Sequence, residues 1–97
     1  MDIQVIGSSE LVINGSIKSV TDYQEVKRIM TDMLRDSGKE ITIRMPDSIS
    51  ITSSVIGYFL KLVYQDNVKI TLIVSDPRLL SLLDDLRLTE AFNAVKE

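Results

Sequence analysis

The sequence predicts one α/β domain over residues 1–97, a single mixed β-sheet of four to five strands combined with about four helices. Three observations lead there. Apolar and polar residues alternate over 3–5, 11–13, 41–45 and 68–74, the period of strands with one buried face. The stretches between the later strands change to helical spacing. Ninety-seven residues, 44% of them apolar, are enough for one core and too few for two.

Taken in order, Ile3 and Val5 alternate with polar neighbours, and Gly7-Ser8-Ser9 reads as a turn into a second short strand through Leu11 and Ile13. From Thr21 the period lengthens. Tyr23, Val26, Met30, Met33 and Leu34 share a helical face; Thr21 with Gln24 fits a capping box and Gly38 a C-terminal stop. Ile41, Ile43 and Met45 form the next strand, ended by Pro46 and Asp47. A second helix is expected over 53–65, with Ile56, Phe59, Leu60 and Val63 as its core stripe. A strand follows over 68–74. Asp76 before Pro77 starts a third helix, because Asp accepts from free amides and Pro needs no partner at the first position. Leu79, Leu80, Leu82, Leu83 and Leu86 are its expected buried stripe, and 89–92 reads as one further helical turn. The order is β-β-α-β-α-β-α, and right-handed parallel crossovers bring the starts of the second and third helices to one rim of the sheet.

Composition narrows the chemistry. There is no histidine and no cysteine, so a Ser-His triad, a thiol nucleophile and a thiolate metal site are excluded, and no metal or cofactor is expected. Neighbouring Asp84 and Asp85 point to different helix faces and make no convergent acid pair. Eleven basic against fourteen acidic residues, a formal charge of −3, do not suggest nucleic-acid binding. No signal peptide or apolar span is evident at Met1-Asp2-Ile3-Gln4 or beyond, so a non-enzymatic, cytoplasmic interaction module is expected, without membrane insertion.

The rim is hydroxyl-rich. Ser54, Tyr58, Lys61 and Gln65 follow one helical face that should be exposed, while Ser53 lies nearer the core side and suits a cap. Ser54 is therefore the serine a partner or kinase would reach, with Ser53 the second choice. Capping alone also accounts for a Thr-Ser-Ser run. Val55, Tyr58 and Leu62 widen the apolar arc of this helix. Either they are buried within the monomer, or they form a partner or self-association surface that would make a homodimer.

At these residues the chain resembles the STAS family, named for sulfate transporters and anti-sigma-factor antagonists. Its Asp-Ser-Ser-Gly-Leu-Gly signature is similar to Thr52-Ser53-Ser54-Val55-Ile56-Gly57, with Thr52 in place of Asp and Val55 in place of Gly. Asn14-Gly15-Ser16-Ile17, Val74-Ser75-Asp76-Pro77 and Leu86-Arg87-Leu88 resemble other family segments, so the likeness covers almost the whole chain. The resemblance implies a bacterial anti-sigma-factor antagonist-like protein whose partner is an anti-sigma kinase and whose phosphorylated residue is Ser54. Its partner surface would comprise Ser50, Thr52, Ser53, Ser54, Val55, Tyr58, Ser75 and Asp76. The alternative it implies is a non-switching subunit of a transporter ATPase complex or signalling scaffold.

Overall fold

A computed structural model describes residues 1–97, Ser37 by its backbone alone. The chain runs β1 (Asp2–Ile6), β2 (Glu10–Asn14), α1 (Val20–Ser37), β3 (Glu40–Met45), α2 (Ser53–Tyr64), β4 (Lys69–Val74), α3 (Pro77–Asp85) and β5 (Ala94–Lys96). The five strands form one sheet in the order β1-β2-β3-β4-β5. The β1–β2 hairpin is antiparallel, and β2 through β5 are mutually parallel.

Register explains the layering. Leu11, Ile43, Leu72 and Ala94 stand side by side across four strands, and all four are buried. The next row, Val12, Arg44, Ile73 and Val95, points to the other face and is partly or fully exposed. Since side chains alternate along a strand, one face of the sheet carries the core and the helices while the other stays open. Above the core face, Phe59 of α2 meets Phe92 edge-on, with ring centres 5.7 Å apart. No helix among the described residues is long and apolar enough to cross a membrane.

Several sequence expectations are corrected. The helices number three among the described residues, because 89–93 forms turns and the chain then adds β5 beside β4. Helix α1 begins one residue before Thr21. Its cap is Ser19, whose hydroxyl accepts from the Asp22 amide, while Asp22 accepts from the Lys18 amide. This is the reciprocity of a capping box moved two residues upstream of the Thr21–Gln24 pair. Helix α2 is rotated relative to the expected stripe: Val55, Tyr58, Phe59 and Leu62 are buried, and Ile56, Leu60 and Val63 only half-buried. In α3, Leu79 and Leu83 are buried, but Leu86 is the C-cap and 49% exposed.

Candidate functional site

At the carboxyl ends of β2 and β3 the rim is braced by side-chain hydrogen bonds between loops. After β3, Asp47 accepts from the Gly15 amide at 2.7 Å and the buried Ser48 hydroxyl donates to the Gly15 carbonyl at 2.6 Å. The Ile49 amide donates to the Ser16 hydroxyl at 3.2 Å. Gly15 suits this crossing because its φ is +83° and a β-carbon there would sit 3.3 Å from the Met1 Cα. These bonds join loops more than 30 residues apart in sequence, so the segment leading into α2 is fixed at its start. Ile51 then turns into the core.

Thr52, extended at φ −79° and ψ 156°, is the N-cap of α2, and its hydroxyl accepts from the Val55 amide at 3.4 Å. That assigns to Thr52 the cap expected of Ser53. Ser53 and Ser54 occupy the first two helical positions, and both are exposed. The first turn of α2 holds no acidic residue, so the partial positive charge of its end is not already offset there. Ser50, on the same loop, is exposed as well.

Two of the expected contact residues are not on the surface. Val55 is completely buried and Tyr58 only 8% exposed, so neither is available to a partner as a free side chain. Tyr58 packs edge-on against Tyr23 of α1 at 6.4 Å, and its hydroxyl lies 3.4 Å from that of Thr31. Burial pushes its phenol pKa up, with the Thr31 hydrogen bond opposing. With Leu62 also buried, the wide apolar arc of α2 goes into the monomer and does not form a self-association surface.

The neighbouring part of the rim follows β4. Ser75, half-buried, lies within 3.4 Å of Glu97, which also meets Arg44 at 2.8 Å on the open face; Arg44 in turn holds Glu10 at 2.6 Å. The rim contacts of Glu97 and Ser48 are not legible in sequence patterns. Their partners are far away along the chain, beyond any local window. Asp76 caps α3 by accepting from the Arg78 amide at 2.8 Å and pairs with the Arg78 guanidinium at 2.7 Å. It serves α3 first, and its carboxylate is already engaged. No group of three His, Cys, Asp or Glu among the described residues could hold a metal ion.

The Arg78 hydrogen bonds hold the Asp76 carboxyl down at about 2. A depressed folded-state pKa stabilises the protein above the unfolded value near 3.9 and loses that contribution as pH falls towards about 2. The Asp76→Asn protein, which keeps a capping side chain, should therefore lose less of its urea midpoint between pH 5 and pH 2 than the parent. Equal losses would show that Asp76 does not titrate in this way.

Searches for known relatives leave the fold and site to stand by themselves: no family model, curated protein or solved structure matches the chain. The described residues form a five-stranded mixed sheet with three helices and a braced, hydroxyl-bearing rim.

Proposed function

We propose that this chain is a regulatory protein–protein interaction module, anti-sigma-factor antagonist-like, working in the bacterial cytoplasm with its binding switched by phosphorylation of Ser54 by a partner serine kinase. The observation that supports the reading is the exposed Ser54 at the second position of a helix whose start is braced by Thr52 and by the Ser48–Gly15 bond. A phosphate there brings about −1.5 to −2 charges. Free amides at a helix N-terminus accommodate that charge, so the fold persists while a surface shaped for the neutral hydroxyl loses its fit.

The test is incubation with the anti-sigma kinase and ATP, followed by mapping of modified peptides. Phosphate is expected on the peptide containing Ser54 and absent from Ser54→Ala. The Ser54→Asp protein should bind the kinase at least about tenfold more weakly, a change of about 1.4 kcal/mol, with a melting temperature no lower than the parent's. Modification only elsewhere, or binding indifferent to Ser54→Asp, overturns the switch.

A further inference from the structure

Asn14 is the last residue of β2 and, of the three asparagines in the chain, the one followed by glycine. That dipeptide carries a chemistry of its own. The amide nitrogen of the following residue, once it sheds its proton, attacks the asparagine Cγ; a C–N bond forms, ammonia leaves and a five-membered succinimide remains. Water then opens the ring at either carbonyl, leaving aspartate or isoaspartate. Glycine permits the attack best, because no β-carbon hinders the approach. Asn67 and Asn93 are followed by Val68 and Ala94 instead. Two features of the fold oppose the reaction at Asn14. The residue is in a strand, paired with Asp2 across the hairpin, and an extended backbone turns the next nitrogen away from the side chain that it must reach. The Gly15 amide also donates to Asp47 Oδ1 at 2.7 Å. The nitrogen has to release that proton before it attacks. A carboxylate acceptor holds the N–H and disfavours a second negative charge beside it. The Ser48 hydroxyl, donating to the Gly15 carbonyl at 2.6 Å, fixes the same residue from its other side.

We infer that Asn14 is a site of spontaneous deamidation that Asp47 keeps latent in the folded chain, released when the brace between the two loops opens. Either product then acts back on that brace. Aspartate at this position stands directly opposite Asp2 in the hairpin register, and like charges facing each other across strands are destabilising. It also adjoins the residue whose amide Asp47 must accept. Isoaspartate routes the main chain through the side-chain methylene, which lengthens it just ahead of Gly15 and moves Gly15 off both Asp47 and Ser48. The opening thereby becomes permanent, since refolding does not restore the asparagine. The segment set free leads directly to Thr52 and the start of α2. The inference holds whether or not Ser54 is phosphorylated, because it concerns the brace and not the switch.

The experiment is incubation of the full chain in mildly alkaline buffer, native and in unfolding urea. The tryptic peptide ending at Lys18 is followed by mass for exchange of NH2 by OH, and isoaspartate by enzymatic methylation. Conversion at Asn14 should be at least about a hundredfold slower in native buffer than in urea, and about tenfold faster in folded Asp47→Ala than in the parent, the scale of losing one hydrogen bond to a charged acceptor. Asn67 and Asn93 in the same digests control for time and pH. Deuterium exchange at the Gly15 amide, slow in the parent and fast in Asp47→Ala, reads the brace without the covalent step. If Asp47→Ala does not fold, Asp47→Asn, which keeps an acceptor and loses the charge, carries the same comparison. Equal conversion in native buffer and in urea overturns the latency. A rate in the folded variant no higher than the parent's, or an unprotected Gly15 amide in the parent, overturns the part given to Asp47. Asn14→Asp should lower the urea midpoint and Asp2→Asn should restore part of it; an unchanged midpoint in Asn14→Asp overturns the effect on the brace.

Discussion

Replacing Phe59 with alanine is expected to cost about 3–5 kcal/mol, the range for truncating a buried aromatic side chain. Phe59 is completely buried, packs edge-on against Phe92 and lies 6.3 Å from the Tyr58 ring, so its removal opens a void bordered by rigid groups. Phe92 belongs to the turns between α3 and β5, and the Asn93 side-chain amide beside it donates to the Ile70 carbonyl at 2.8 Å. The void would thus loosen the attachment of the fifth strand as well as the seat of α2. Against a total stability of about 5–15 kcal/mol for an ordinary domain, a loss of this size removes much of the folded population's margin. Urea unfolding should show the drop in midpoint, and Phe59→Leu, which keeps most of the volume, should lose less than about 1.5 kcal/mol. A loss in Phe59→Ala no larger than that in Phe59→Leu would mean that the aromatic contact contributes little.

The strands were legible in the sequence because a sheet with one buried face imposes a period of two on each of them, as in Ile41-Thr42-Ile43-Arg44-Met45. Strand β5 was not, since three residues, Ala94-Val95-Lys96, are too few to display a period and are held by pairing with β4. The rotation of α2 escaped for the opposite reason. Seven of the nine residues from Val55 to Val63 are strongly apolar or aromatic, so spacing alone selects no single face. Packing of α1 along one flank, through Tyr23 and Thr31 on Tyr58, makes the choice. In the candidate site, the exposure of Ser54 could be read from its position on the helix. The division between Thr52 and Ser53 could not, because either hydroxyl can cap and only the backbone turn decides which does.

Val55→Gly should destabilise the protein by about 2–4 kcal/mol, combining the lost burial of a valine side chain, an imperfectly closed cavity and the poor helix propensity of glycine. The substitution would place a glycine where the STAS signature has one, yet here it removes a side chain with no exposed surface. Ser54→Ala, one residue earlier on the exposed side of the same turn, should change stability by no more than about 0.5 kcal/mol. Urea denaturation of both variants measures the contrast. A loss below about 1 kcal/mol in Val55→Gly would indicate that α2 tolerates rotation or closer approach to the sheet, and the burial assigned to Val55 would then be wrong. If the contrast holds, the two neighbours divide the work of the helix start. Val55 keeps α2 seated in the core, which leaves the adjacent Ser54 hydroxyl open to change its charge without disturbing the fold. The valine is then a requirement of this core, and it leaves the serine's exposure intact.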